Sequence, residues 1–187
     1  MTSPSPVAPQ PWLTRANALT AVRLALAPVL ACAILAPAPG LAASAFGLAI
    51  VTDLLDGPVA RRFGESSALG GFLDHATDAT FVSLGLAACA VAGEVPGVLP
   101  VLVILAFVQY ALDSRVLAGQ KLRASVLGRY NGIAYFVALG VPVVRDALGL
   151  PGPSAPWVQG LGWLLALTTA ISMLDRAWAL LARNRGS

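Results

Sequence analysis

Four aspartates stand close together in a chain that is otherwise poor in charge. Only 11% of the 187 residues are charged, yet four of the acidic ones fall between positions 53 and 78, namely Asp53, Asp56, Asp74 and Asp78. On a helix that turns about 100° per residue, Asp53 and Asp56 share one face, and Asp74 and Asp78 share another. An antiparallel pair of helices would bring the two acidic faces together.

Carboxylates gathered in this way would repel one another strongly in a low dielectric, and no equal number of basic residues stands beside them. Divalent cations would remove the repulsion. All-oxygen ligands are hard donors that suit magnesium, manganese or calcium rather than zinc. Paired metal ions commonly serve displacement reactions at phosphorus. The pattern therefore predicts a phosphoryl-type transfer that uses two divalent cations.

Small and basic residues surround the four aspartates. Small side chains let a neighbouring helix or a ligand approach closely, and they are found here at Gly57, Ala60, Gly70 and Gly71. Arg61 and Arg62 have the fork geometry that binds phosphate oxygens, although anchoring at the membrane surface would explain them as well. His75, the single histidine, is expected to pack outside the metal shell.

Two further polar residues, Asn17 and Arg23, lie in the first apolar stretch. Either they belong to the active site, or they form an interfacial helix cap and a snorkelling anchor. The sequence leaves both interpretations open.

The elements that carry these residues are predicted to be membrane-spanning helices. With 57% hydrophobic residues and a mean hydropathy of +0.77, the chain is not a soluble domain. At roughly 20 residues per span, it has room for about six crossings. We predict an all-α integral membrane protein with spans at about 17–36, 41–61, 68–92, 98–118, 125–144 and 157–181. One membrane domain over 15–183 would follow a disordered or interfacial tail at 1–14.

The basic residues predict the orientation of this bundle. Eleven of the 12 Lys and Arg residues fall on or near one side of the predicted bundle, and only Arg145 falls on the other. By the positive-inside rule, the basic side is cytoplasmic, and so are both termini and the active site, at the ends of spans two and three. Anionic headgroups of the cell membrane explain the net charge of +3 better than nucleic acid, so no nucleic-acid partner is expected.

The segment 53–61, followed by Gly70, Asp74 and Asp78, resembles the complete signature of the CDP-alcohol phosphotransferase (phosphatidyltransferase) family, class I. All eight fixed positions match at the family's spacing. The similarity extends to residues 17–28 of the first span and to the six-span layout over nearly the whole chain. Residues 75 and 79, His and Ala here, are often different in relatives, which leaves the subfamily open.

The resemblance implies the chemistry. The four aspartates would hold two divalent cations, Mg²⁺ or Mn²⁺, and the cations would bind the diphosphate of a CDP-linked lipid donor. Asp78 would also take the proton from the acceptor hydroxyl, which attacks the β-phosphorus so that CMP leaves. The resemblance also implies a homodimer. The nucleotide-binding residues that it implies are Asp53, Gly57, Ala60, Arg61 and Gly70.

A chain of this kind resembles the phosphatidyltransferases of phospholipid biosynthesis, which use CDP-diacylglycerol. A small polar acceptor that bears phosphate, such as glycerol 3-phosphate or an inositol phosphate, would suit several cations near spans four and five. These cations equally fit a loop that obeys the positive-inside rule. Residues 125–131 are similar to a Ser-x-x-Gly-Lys-x-Lys element of glycerol-phosphate enzymes, but Asn131 replaces its second Lys. The candidate acceptor residues are Arg115, Lys121, Arg123 and Arg129.

Two other functions also agree with the sequence. A CDP-choline or CDP-ethanolamine enzyme would keep the same aspartates and use diacylglycerol as its acceptor. A non-enzymatic transporter would also place acids in the membrane, but near the mid-bilayer and in repeated halves. Here the acids occupy one window near one surface, which favours the enzyme.

Overall fold

In the computed structural model, which describes residues 15–65, 67–113 and 126–184, the chain forms six α-helices. The all-α prediction is confirmed. The predicted tail at 1–14 lies outside the described residues, as do residues 114–125. The helices are α1 (Arg15–Leu35), α2 (Pro39–Phe63), α3 (Ala68–Val91), α4 (Val98–Asp113), α5 (Val126–Ala147) and α6 (Ala155–Asn184).

Four of these helices are long and apolar enough to cross a membrane. The qualifying segments are Asn17–Leu35, Pro39–Phe63, Leu127–Ala147 and Ala155–Trp178. α3, which carries Asp74, His75 and Asp78, is not among these segments, and the apolar part of α4, Val98–Leu112, is shorter. These lengths and compositions agree with a membrane protein, whereas the number of six crossings stays a prediction.

Contacts at the two ends of the bundle show that α1 and α2 run in opposite directions and that α3 and α5 end on the same side. The Arg15 guanidinium lies 3.8 Å from the centre of the Phe63 ring, so the start of α1 meets the end of α2. At the opposite end, Arg145 of α5 forms an ion pair with Glu94, which follows α3, at 2.7 Å. We call the end that holds the α2–α3 connection the acidic end, and the other the far end.

Aromatic stacking joins three helices in the core. Phe81 of α3 is fully buried, and its ring centre lies 6.5 Å from that of Phe46 on α2 and 6.2 Å from that of Phe136 on α5. A Cβ at Gly140 would lie 2.8 Å from the Phe46 ring, so a glycine lets α2 and α5 approach closely here. Large apolar side chains also cover the outside of the bundle, as expected for helices in lipid; examples are Leu54, Trp157, Trp163, Leu174 and Trp178.

Two helix caps fix the α2–α3 connection and thereby the depth of the acidic residues. Gly64 ends α2 with a φ of 67°, and the backbone N–H of Glu65 donates to the carbonyl of Ala60 at 2.9 Å. Ser67 begins α3, where its Oγ accepts from the Gly70 N–H at 2.9 Å. At 1.5 Å per residue, the four aspartates lie at roughly 9–15 Å from their helix ends. Both acidic faces are therefore at the same depth.

Candidate active site

The acidic faces of α2 and α3 meet in the structure. Asp53, Asp56 and Asp74 each offer a carboxylate oxygen, and these three oxygens lie within 4.8 Å of one another. Asp78, one helical turn after Asp74, lies outside this group of three. We call the four together the carboxylate cluster.

Arg23 of α1 lies at the centre of the carboxylate cluster. Its side chain is fully buried, and its Nη2 lies 3.1 Å from Asp53 and 2.6 Å from Asp56 on α2. Its Nη1 lies 2.8 Å from Asp74 on α3 and also donates to Asp78. Of the two interpretations that the sequence leaves open for Arg23, the structure places it at the site rather than at the membrane surface.

The carboxylate cluster fits a divalent cation. Four carboxylates face one guanidinium, so negative charge remains uncompensated in a partly buried place. The side chains are only partly accessible, with Asp56 at 13% and Asp78 at 27% exposure. Close, hard, all-oxygen donors with excess negative charge are what Mg²⁺ and related ions require.

The small signature residues let polar side chains approach the backbone of α2 and α3. A Cβ at Gly57 would lie 3.4 Å from Nη1 of Arg61, so this guanidinium folds back over the glycine. A Cβ at Gly70 would lie 3.1 Å from Oγ of Ser67 and 3.9 Å from Oδ1 of Asn17 on α1. Ala60 is partly buried on α2, one turn beyond the aspartates. A larger side chain at Gly57 or Gly70 would therefore displace these neighbours.

A cavity of about 680 Å³ adjoins the carboxylate cluster among α3, α4, α5 and α6; its wall is mainly apolar but carries several polar side chains, and we call it the polar cavity. Asp53 and Asp78 line it, whereas Asp56 and Asp74 do not. Asp78 is therefore the α3 carboxylate that faces this space. The other polar side chains of its wall are those of His75, Gln109, Tyr110, Arg129, Asn131, Tyr135, Thr169, Ser172 and Arg176.

Two buried polar atoms in the wall of this cavity have no hydrogen-bond partner among the described residues: Nδ2 of Asn131 and Oε1 of Gln109. Asn131 is only 5% exposed, and its Oδ1 accepts from Thr168 at 3.1 Å. Gln109 donates through its Nε2 to the Met173 carbonyl at 2.9 Å. Unsatisfied buried groups are rare because each is costly, so these two suit a polar ligand in the cavity.

Basic and aromatic side chains form another part of the same wall. The His75 ring stacks on Tyr110, with ring centres 5.7 Å apart, and its Nδ1 lies 3.9 Å from Asp74. The Arg176 guanidinium lies 5.4 Å from the centre of the Tyr110 ring. Arg129 completes the basic part of the wall.

Part of this wall is not predicted from the sequence. Of the four predicted acceptor residues, Arg115, Lys121 and Arg123 lie outside the described residues, and Arg129 lines the cavity. Gln109 and Tyr110 were not predicted, although a glutamine inside an apolar run was a usable signal. Arg176 was counted only as a basic residue on the cytoplasmic side.

An apolar groove of about 630 Å³ runs between α2 and α5. Asp53 lines one end of it, and Arg145 and Pro153 line the other. Its α5 wall, from Ile133 to Arg145, is roughly 18 Å long at 1.5 Å per residue. The groove therefore leads from the carboxylate cluster toward the far end of the bundle.

The family model for CDP-alcohol phosphatidyltransferase matches residues 13–174. The chain belongs to this family. A probable phosphatidylglycerophosphate synthase of Mycobacterium tuberculosis (strain ATCC 25618 / H37Rv) is 29% identical in a 172-residue alignment that covers 87% of this chain and 80% of the relative. The cardiolipin synthase (CMP-forming) of Rattus norvegicus is 44% identical over 75 residues, which is 40% of this chain and 24% of that protein. The Homo sapiens protein of the same name is 43% identical over 75 residues.

Membership of the CDP-alcohol phosphatidyltransferase family confirms the predicted enzyme class. The protein is a membrane transferase of phospholipid biosynthesis that moves a phosphatidyl group from a CDP-linked lipid donor to an alcohol. The family uses divalent metals, in agreement with the oxygen donors of the carboxylate cluster. The transporter alternative does not agree with this membership.

Proposed function

We propose that the protein transfers the phosphatidyl group of CDP-diacylglycerol to a hydroxyl of glycerol 3-phosphate and releases CMP. The observation that carries this proposal is the polar cavity, which Asp78 lines together with the cations Arg129 and Arg176. An acceptor with both a reactive hydroxyl and a phosphate suits such a wall. The similarity to a probable phosphatidylglycerophosphate synthase, over most of both chains, supports this choice of acceptor.

The carboxylate cluster would hold two divalent cations, Mg²⁺ or Mn²⁺. Its four members are the proposed ligands, and their four negative charges equal the charge of two divalent cations. When bound, the cations neutralise the diphosphate of the donor and the charge that develops on the leaving group.

The donor would lie along α2. Gly57, Ala60 and Gly70 give the cytidine nucleotide space, Asp53 lies beside it, and Arg61 pairs with its phosphates. The apolar groove that begins at Asp53 would take one acyl tail. Its length of roughly 18 Å is slightly more than half of the approximately 30 Å hydrocarbon core, so it suits a chain that stays within one leaflet.

The acceptor would enter the polar cavity with its phosphate toward Arg129 and Arg176 and its hydroxyl toward Asp78. Asp78 takes the hydroxyl proton as the oxygen forms its bond to the β-phosphorus. The bond from the β-phosphorus to the oxygen that bridges the two phosphates breaks, and that oxygen leaves with CMP. Asn131 and Gln109 would hydrogen-bond the remaining acceptor oxygens through their unpaired atoms.

One residue of α5, Asn131, also agrees with a different acceptor, phosphatidylglycerol. The match of 44% to a cardiolipin synthase covers only 75 residues, which agrees with a shared donor site more than with a shared acceptor. However, Asn131 stands where the glycerol-phosphate element has Lys, so one cation of that element is missing here. Phosphatidylglycerol, which also carries a phosphate beside a free hydroxyl, is therefore the alternative acceptor.

An acceptor panel tests the proposal. Purified protein in detergent with Mg²⁺ and CDP-diacylglycerol is given glycerol 3-phosphate, phosphatidylglycerol, an inositol phosphate or plain glycerol, and CMP and lipid products are measured. We expect the fastest CMP release with glycerol 3-phosphate and almost none with glycerol. Faster release with phosphatidylglycerol would select the alternative. Activity only with CDP-choline or CDP-ethanolamine and diacylglycerol would contradict both.

The proposal also covers orientation and assembly. One membrane domain over 15–183, six crossings, a homodimer and two cytoplasmic termini are part of it. Single cysteines replacing Arg62, Gln120 or Ser154, in a chain without Cys32 and Cys89, test the topology in cells. We expect impermeant reagents to label positions 62 and 120 from the cytoplasmic side and position 154 from outside. Labelling of the first two from opposite sides would contradict the span count, and the purified mass in detergent tests the dimer.

A further inference from the structure

Arg23 is bound by both halves of the carboxylate cluster. Nη2 contacts the α2 carboxylates, at 3.1 Å from Asp53 and 2.6 Å from Asp56, while Nη1 contacts the α3 carboxylates of Asp74 and Asp78. Each of the two terminal guanidinium nitrogens thus contacts the carboxylates of one helix. The side chain joins α1 to the two helices that carry the signature.

No described residue outside the cluster is seen to fix this guanidinium. The third nitrogen of Arg23, Nε, is buried and has no hydrogen-bond partner among the described residues. Among the described residues, the hydrogen bonds and ion pairs of this charge are therefore those to the carboxylates. An arginine that only held α1 against α2 and α3 would be more stabilising if its Nε also had a hydrogen-bond acceptor. An unpaired buried donor is unfavourable.

The carboxylates that bind Arg23 include the three whose oxygens lie close enough to ligate one cation. Those three are Asp53, Asp56 and Asp74, with ligand atoms within 4.8 Å of one another. A metal ion needs their lone pairs, and the guanidinium uses lone pairs of the same three side chains. Two positive charges at such a short distance also repel each other strongly in a low dielectric.

We propose that Arg23 is a built-in counter-ion of the carboxylate cluster, which stabilises the cluster without metal and competes with the divalent cation when the cation binds. This inference rests on the proposed function, because it takes the cluster as the metal site. Arg23 is then a positioning residue that holds the four carboxylates together and sets how tightly the cation is bound.

Competition and simple bracing predict opposite effects for Arg23→Gln. If Arg23 competes, its loss removes one positive charge from the site, so the cation binds more tightly while the metal-free protein becomes less stable. If Arg23 only braced the ligands, its loss would disorder them and the cation would bind more weakly. Arg23→Lys keeps the charge and loses the fork, so its cation affinity should stay near that of wild type.

The test measures Mn²⁺ affinity and thermal unfolding of the full chain in detergent. For Arg23→Gln we expect a Kd at least about tenfold lower than that of wild type and a lower midpoint of unfolding in chelator, largely restored by Mn²⁺. Arg15→Gln, an exposed arginine on the same helix, is the matched control and should leave the Kd unchanged. Equal or weaker Mn²⁺ binding by Arg23→Gln would overturn the proposal.

A wild-type measurement covers the case in which Arg23→Gln does not fold. An arginine-specific dicarbonyl reagent, read by mass spectrometry, should modify Arg23 several-fold faster with Mn²⁺ than with chelator, because the cation frees the guanidinium from the carboxylates. Equal or slower modification with Mn²⁺ would contradict the competition. If wild-type protein bound no divalent cation, the metal site of the proposed function would fail as well, so the two failures are distinguishable.

Discussion

Asp74→Asn is expected to lower CMP release from CDP-diacylglycerol by at least about 100-fold and to weaken divalent-cation binding. Asp74 supplies one of the three close carboxylate oxygens and is the only one of them on α3. An amide keeps the size of the side chain but removes the charge that balances a divalent cation. Asp53→Asn and Asp56→Asn should have effects of the same order, measured as initial rates at saturating donor and as Mn²⁺ affinity.

The matched control for these variants is Asp146→Asn. Asp146 is an exposed carboxylate at the far end of the bundle, paired with Arg145 at 2.7 Å, so the same substitution there should leave rate and cation affinity unchanged. Wild-type activity that persisted in excess chelator would contradict the metal site, whatever the variants did. If Asp74→Asn lost all activity but kept its cation affinity, Asp74 on α3 would not be a metal ligand.

The fold was largely predictable because its signals are local. Apolar stretches of about 20 residues, broken by Gly and Pro, place all six helices, and the predicted second span at 41–61 compares with α2 at Pro39–Phe63. The meeting of the acidic faces was also predictable. It needs only the helical period and an antiparallel pair, and both follow from residues close together in the chain.

The position of Arg23 was not predictable in the same way. A single arginine in an apolar stretch has two solutions, to snorkel to the surface or to find a counter-charge inside. Which one applies depends on how α1 packs against α2 and α3, and the partners are 30 to 55 residues away along the chain. The contribution of Gln109 and Tyr110 to the cavity was not predictable for the same reason. The packing of α4 against the other helices decides which of its sides faces the cavity.

Asp78→Asn is expected to reduce the chemical rate more than the affinity for the donor. Asp78 lines the polar cavity in which the acceptor is proposed to lie, whereas Asp56 and Asp74 do not. An amide cannot take the proton of the acceptor hydroxyl, and loss of a general base costs about 10²–10⁴-fold in rate. The donor should still bind, because the other three aspartates remain. Single-turnover rate and donor affinity, measured on the same preparation, provide the comparison.

Asp78→Glu tests whether the position of the carboxylate matters. This substitution keeps the negative charge and changes only the length of the side chain. The added methylene would displace the carboxylate by about 1 Å or more, and a misplacement on that scale can lower a rate by ~10²-fold, so recovery should be incomplete. Asp78 also accepts a hydrogen bond from Arg23, so the donor affinity of both variants reveals any disturbance of the carboxylate cluster. If Asp78→Asn kept a single-turnover rate within tenfold of wild type at saturating metal, the base would have to be another group that faces the cavity. His75 and Asp53, which line the same wall, would then be the residues to test, and membership of the family would be unaffected.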